Sequence, residues 1–298
     1  MDIHGIFPPV PTFFDEDEEL DLARLSKHIH HLSEQGIDRF VALGSNGEAV
    51  HLDMDERFRV IEMIRLAAGA DAPLLAGAGA ESTRETIRLC QLAEKAGADV
   101  ALILPPHSYG GKMGMAAQKA HYQAVADESP LPIVIYNMPA NAAGVDLDAE
   151  TIIALATHPR IVGMKDSSGN ITKLAQVVAG APSDFVVLAG SAGFLLPALT
   201  VGAQGAIAAL ANVAPRQCLE LLAYFQDGLL GEARALQADL IPLNTAITSG
   251  YGVAGLKAAL ELTAGYGGVP RRPLLPLTES ERAHLRILLR EADLSPQA

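Results

Sequence analysis

Cysteine is scarce in this chain. Its two cysteines, Cys90 and Cys218, in 298 residues make no C-x-x-C pair and are too few for a disulfide scaffold, so a reducing compartment is expected. Basic residues are short as well: 22 Lys and Arg stand against 35 Asp and Glu, a formal net charge of −13. Such a chain repels a phosphate backbone on average, which argues against nucleic acid as a partner. Charged residues make up 19% of the chain and apolar ones 49%, enough to bury a large core and too apolar for an intrinsically disordered protein. Met1-Asp2-Ile3-His4 carries an acid where a secretory leader carries bases, and no apolar stretch follows, so a cytoplasmic location is expected. No low-complexity run or linker rich in Pro, Gly or Ser separates independent domains. Charge is missing altogether from residues 185–215, in principle long enough to cross a bilayer. Gly190, Gly193, Pro197, Gly202, Gln204, Gly205 and Asn212 nevertheless cut that stretch into two short strand-like runs around a helix, the pattern of a buried core, and no membrane association is expected.

What the chain does contain is alternation. Eight short apolar runs recur, at residues 6–13, 40–43, 74–76, 100–104, 133–136, 161–164, 186–189 and 206–210. The segments between the second and the seventh are amphipathic and long enough for a helix with two loops, which predicts repeated β-loop-α units. The runs lack a polar face, as strands covered on both sides should. Eight such units close into a (β/α)₈ TIM barrel, an α/β fold, with a doubly wound open sheet as the alternative. Helix boundaries are readable too: Asp21 precedes the stripe Leu22, Leu25, Ile29 and Leu32, and Gly36 stands where a left-handed residue would end that helix. Past Leu210 the strand pattern stops. Helical patterns follow at 217–226, 230–248 and 254–263, with a last helix opened by a capping box, Thr278 with Glu281. Residues 1–212 are therefore read as the barrel with the active site, and 213–298 as a C-terminal helical domain.

In a barrel the reactive groups sit at the carboxyl ends of the strands. Of the seven lysines, at 27, 95, 112, 119, 165, 173 and 257, Lys165 alone ends an apolar strand. Desolvation there disfavours an ammonium and leaves an amine able to attack a carbonyl, which is Schiff-base chemistry. A rim lysine that snorkels to water, or one paired with Asp166, stays open on position alone. One strand earlier, residues 133–135 end in Tyr136, whose phenol can shuttle protons at an amine and its imine; by itself Tyr136 also suits an ordinary barrel position. The second run ends in Gly44-Ser45-Asn46-Gly47-Glu48, a tight turn whose backbone N–H groups and hydroxyl can converge on a carboxylate.

Other signals fail on inspection. No G-x-x-x-x-G-K-S/T sequence occurs, and residues 77–82 lack the last glycine of a dinucleotide fingerprint, so no nucleotide is expected. His28, His30 and His31 lie on one amphipathic helix without a carboxylate at a ligand spacing, and H-E-x-x-H is absent; they are read as surface or packing residues, and no metal is expected. Residues 189–193 carry Ala where a nucleophile elbow needs its first Gly, which argues against a serine hydrolase.

Four motifs in order, Gly5-Ile6-Phe7-Pro8-Pro9-Val10-Pro11-Thr12, Gly44-Ser45-Asn46-Gly47-Glu48, Tyr136-Asn137-Met138-Pro139 and Gly163-Met164-Lys165-Asp166, resemble the dihydrodipicolinate synthase and N-acetylneuraminate lyase superfamily, nearly end to end. The resemblance implies a (β/α)₈ barrel with a C-terminal helical domain, a homotetramer or homodimer, and a cofactor-free class I aldolase or lyase acting on pyruvate-derived 2-oxo acids. It implies that Lys165 is the Schiff-base lysine, that Tyr136 is the acid/base phenol, and that Ser45, Asn46 and Gly47 bind the carboxylate. Gly190, Ser191 and Ile207 match positions lining the site. A second tyrosine of the synthases has Tyr109 as its chemically apt counterpart, with His107 standing near that position by counting. Synthases also carry an arginine five residues after the strand-end tyrosine. Here that position is Asn141, and an amide in place of a guanidinium forfeits about 1.5–3 kcal/mol of carboxylate binding. Within the superfamily the chain is most similar to 4-hydroxy-2-oxoglutarate aldolases, which adds Ser167 to the site and implies cleavage to pyruvate and glyoxylate. Dihydrodipicolinate synthase is the runner-up, followed by a sugar-acid lyase or dehydratase and by a non-catalytic barrel that binds a keto acid.

Overall fold

The computed structural model describes residues 2–294 and alternates strand with helix throughout its first two-thirds. In order come β1 (Gly5–Phe7), α1 (Leu22–Glu34), β2 (Phe40–Ala42), α2 (Met54–Ala68), β3 (Leu74–Gly77), α3 (Thr83–Lys95), β4 (Val100–Ile103) and α4 (Met115–Glu128). β5 (Ile133–Asn137), α5 (Ala149–Ala156), β6 (Ile161–Asp166), α6 (Ile171–Gly180), β7 (Val186–Ala189), α7 (Leu195–Thr200) and β8 (Gly205–Ile207) follow. The chain continues as α8 (Pro215–Gln226), α9 (Leu230–Thr245), α10 (Gly252–Ala264) and α11 (Glu279–Glu291).

Every strand pair is parallel, in the order β1-β8-β7-β6-β5-β4-β3-β2. The last seam is closed beyond the end of β1, where Val10 N donates to Val41 O (2.9 Å) and Val41 N to Pro8 O (3.1 Å). The fold is a TIM barrel. The first apolar run ends as a regular strand at Phe7 because Pro8, Pro9 and Pro11 have no N–H to give a ladder. Alternation then divides the core in two. Phe7, Val41, Leu75, Leu102, Leu188 and Ile207 fill the barrel interior, while their neighbours Ile6, Ala42, Leu74, Ala76, Ile133 and Ile135 pack outward beneath the helices, the two faces a parallel barrel must cover.

The uncharged stretch resolves into β7, α7 and β8, and among the described residues no helix is long and apolar enough to cross a membrane. Asp21 caps α1 by accepting from Arg24 N (2.8 Å), Gly36 takes φ +94 beyond its end, and Thr278 with Glu281 forms the capping box of α11. The helical pattern at 230–248 divides into α9 and a π-type turn over Ala246–Gly250. α8 packs on α7 and β1, the place of a barrel's eighth helix. α8 also packs on α9; we propose that it completes the barrel, with α9–α11 as the appendage.

His28 is fully buried and joins three segments. Asn212 Nδ2 donates to Pro9 O (3.1 Å) and Ala209 O (3.0 Å), so its Oδ1 accepts from His28 Nε2–H (3.0 Å). His28 Nδ1 is left to accept from the Tyr266 hydroxyl (3.3 Å), which assigns the neutral tautomer. Burial lowers the His28 pKa to about 4, the Asn212 bond opposing and His31 assisting. His121 on α4 is pushed to about 4 by burial, with Glu81 opposing. Between about pH 6.5 and 4 the unfolded chain takes up protons at these rings that the folded chain does not, so stability falls as the pH drops through that window. The unfolding free energy should decrease there by up to about 3 kcal/mol per histidine, seen as a falling urea midpoint. His28→Gln should flatten part of the slope; an identical pH dependence in wild type and variant would contradict the assignment.

Candidate active site

The register of one strand pair builds the site. β5 and β6 pair Ile133 with Ile161 and then Val134 with Gly163, so Val162 is an extra residue on β6. Without it, alternation from outward-facing Ile161 would turn Lys165 outward as well. The bulge reverses the phase. Met164 goes out beneath the helices, while Lys165 stands level with Tyr136, a residue of the interior cluster. Position 163 has to be glycine, because a Cβ there would come within 2.6 Å of Val186 O.

Lys165 is 4% exposed and Tyr136 5%, and Lys165 Nζ lies 3.9 Å from the centre of the Tyr136 ring. Lys173 is paired with Asp146 and, at 3.1 Å, with Asp166, and Lys257 with Glu48 at 2.6 Å. Lys165 has no ion pair among the described residues. Asp166 points away from it and accepts from Ser168 N (2.7 Å) and Asn137 Nδ2 (2.9 Å) as well as from Lys173. Pairing of Lys165 with Asp166 is thereby removed, and so is snorkelling to water.

Ser45, Asn46 and Gly47 form a single 3-10 turn between Leu43 and Glu48, both left-handed at φ +56 and +51, a conformation few non-glycine residues hold without support. Ser45 Oγ is 3.3 Å from the Tyr136 hydroxyl, which donates to Met138 Sδ (2.7 Å). The amides of Gly47 and Glu48 are used within the turn. Those of Ser45 and Asn46 have no protein acceptor among the described residues, which suits them to an anion. Thr12 Oγ1 donates to Gly47 O (2.6 Å) and holds the turn from beneath.

Ser167 and Gly190 meet across the ends of β6 and β7. A Cβ on Gly190 would lie 2.0 Å from Ser167 Oγ, and Gly190 N donates to Asp166 O (2.6 Å). Ser191 is turned toward α9, where its Oγ accepts from Asn244 Nδ2 (3.0 Å). Ile207 is fully buried inside the barrel. A cavity of about 410 Å³ is lined by Tyr136 and Ser45 together with Asn141, His107 and Arg57. Tyr109 is 77% exposed and is not part of that wall, whereas His107 is, tethered by Glu81, which accepts from the His107 and Ser108 amides (3.0 and 2.8 Å). Among the described residues, no group of three or more His, Cys, Asp or Glu is placed to hold a metal ion.

Sequence reasoning missed a clamp. Glu48, the last residue of the Gly-rich turn, is 2% exposed. It accepts from Lys257 Nζ on α10 (2.6 Å) and from Arg271 N (2.8 Å), and Arg271 forks onto Glu56 (2.7 and 2.8 Å). Burial pulls the Lys257 pKa down to about 8 against the opposing pull of Glu48, so the lysine still carries its charge at pH 7. The available signal was a single lysine in the apolar run 256–260.

The chain has relatives among known proteins. The model of the dihydrodipicolinate synthetase family matches residues 2–292. A probable mitochondrial 4-hydroxy-2-oxoglutarate aldolase of Emericella nidulans is 41% identical over 288 residues, covering 95% of this chain and 93% of the relative. An L-threo-3-deoxy-hexylosonate aldolase of Hypocrea jecorina is 39% identical, covering 97% and 95%. The crystal structure of a chloride-inhibited dihydrodipicolinate synthase from Acinetobacter baumannii complexed with pyruvate superposes with a TM-score of 0.93 at 32% identity, over 98% of this chain and 100% of that one.

Removing one partner of a buried ion pair strands the other charge. Lys257→Met should lower the unfolding free energy by about 3–5 kcal/mol, and adding Glu48→Gln should restore a large part of the loss in denaturant titrations. Simple addition of the two single losses would show that the pair is not coupled.

Proposed function

Because the chain belongs to the dihydrodipicolinate synthetase family, whose named relatives are aldolases and lyases, we propose that it is a Schiff-base aldolase cleaving 4-hydroxy-2-oxoglutarate to pyruvate and glyoxylate. The observation that carries this reading is the buried Lys165 amine, without an ion pair among the described residues and 3.9 Å from the centre of the Tyr136 ring. Its lone pair attacks C2 of the substrate. Proton transfers through the Tyr136 hydroxyl turn the carbinolamine into a protonated imine, with water leaving. Tyr136 then takes the 4-hydroxyl proton, and the C3–C4 bond breaks. The bonding electrons move to the iminium nitrogen as the enamine forms, and glyoxylate departs. Protonation at C3 and attack by water on the imine carbon release pyruvate and restore the amine. The iminium is the electron sink, so the step needs no metal.

We assign the C1 carboxylate to the Ser45 and Asn46 amides and the Ser45 hydroxyl; Gly47, Ser167, Gly190 and Ser191 are not among the residues that line the cavity. The 41% identical relative supports the choice of substrate, as does Asn141 in place of the synthases' arginine. A relative named for a 3-deoxy sugar acid supports a second reading with the same lysine and a neutral aldehyde fragment.

Borohydride reduction with pyruvate should leave a covalent adduct on Lys165, absent in Lys165→Ala, as mapped by mass spectrometry. Tyr136→Phe should lower kcat by about 10²- to 10⁴-fold. Turnover of 4-hydroxy-2-oxoglutarate should exceed condensation of pyruvate with aspartate semialdehyde. An adduct elsewhere, or faster condensation, would count against the assignment.

A further inference from the structure

Cleavage of a 2-oxo dicarboxylate leaves a charge to be held at the far end of the substrate, and Asn141 cannot hold it. Among the described residues that line the cavity, Arg57 is the one with a permanent positive charge. It is half-buried on the first turn of α2. Its guanidinium is fixed against the turn that follows Ser45–Gly47: Nη2 donates to Ala49 O (2.5 Å) and Nε to Leu52 O (3.2 Å). A guanidinium has five N–H donors, so these two bonds orient the plane and leave three, including both on Nη1, without a protein acceptor among the described residues. No carboxylate among the described residues pairs with it. Glu85 acts on it only at longer range and pairs with Arg88, Glu56 is taken by Arg271, and Glu81 by the His107 segment. Partial burial strips water from the group and lowers its pKa from the ordinary arginine value, leaving it charged at any working pH.

We propose that Arg57 receives the distal carboxylate of a five-carbon 2-oxo dicarboxylate, in the cavity that Tyr136 and Ser45 also line. The same turn system then serves both ends of the substrate: the amides of Ser45 and Asn46 take the C1 carboxylate, and the arginine braced on Ala49 and Leu52 takes the C5 carboxylate. This rests on the aldolase reading above and deepens it, since a neutral sugar-derived fragment has no use for the charge.

The test compares 2-oxoglutarate with 2-oxopentanoate, which differ in having a carboxylate or a methyl group at C5. Apparent dissociation constants are read from their inhibition of pyruvate trapping at Lys165, and independently by calorimetry. Wild type should bind 2-oxoglutarate at least about tenfold more tightly, as a charge-assisted pair requires. In Arg57→Met the ratio should fall to about one, with Arg57→Lys intermediate because it keeps the charge but not the fork. Absence of a preference in wild type, or a preference that survives in Arg57→Met, would overturn the proposal. If Arg57→Met does not fold, an unchanged ratio in Arg57→Lys does so. A wild type that traps no pyruvate refutes the imine reading instead, and the calorimetric ratio still decides the role of Arg57.

Discussion

A one-residue irregularity between β5 and β6 decides which way a buried amine points. Val162 has no partner on β5, and that offset carries Lys165 from the helix-facing side of the sheet to the inside of the barrel mouth. The same half-turn sends Asp166 the other way, into the hydrogen bonds of Asn137, Ser168 and Lys173. Two adjacent ionisable residues on one strand thus end in opposite circumstances. The carboxylate is satisfied on every side, whereas the amine faces a phenol ring. A lysine with a nearby carboxylate would hold its proton more firmly and attack a carbonyl more slowly. Separation of the two is a precondition for the proposed chemistry, and backbone register provides it.

Rigidity around that amine comes from distant parts of the chain. The turn proposed to face the substrate carboxylate is flanked by two left-handed non-glycine residues, Leu43 and Glu48, a conformation that persists only when its surroundings enforce it. Thr12 secures the turn from the barrel side, and Lys257 and Arg271 secure it from the C-terminal segment. Asn244 does the same for Ser191, and Tyr266 reaches His28. Burying an ion pair such as Glu48 with Lys257 gains little net stability, because desolvation offsets most of the attraction. Its consequence here is positional: the helical appendage fixes the geometry of the β2–α2 turn without contributing to the cavity wall.

The sequence was legible wherever one residue type at one position carries the information. Apolar runs covered on both faces stand out from amphipathic segments, so the eight strands could be read, and Lys165 stood out as a charge ending such a run. Strand ends were less clear where proline replaced the ladder, as at Pro8 and Pro9. The bulge at Val162 left no trace, since an extra apolar residue in an apolar strand changes no pattern. Glu48 and Lys257 are 209 positions apart, beyond the reach of any local spacing. Arg57 carries no motif that marks it; it is one of several charges on α2. His28, part of a cluster that at first sight suggests a metal site, proved to be a neutral packing residue, and Tyr109, chosen for its chemistry, lies exposed and away from the cavity within this chain.

The most direct examination of the central claim is a crystal structure of the protein soaked with pyruvate. Continuous density from Lys165 Nζ to C2, with the keto oxygen gone, the carboxylate at the Ser45 and Asn46 amides and the Tyr136 hydroxyl beside the new bond, is the expected result. Pyruvate with its keto oxygen intact and Lys165 Nζ at van der Waals distance would contradict the account.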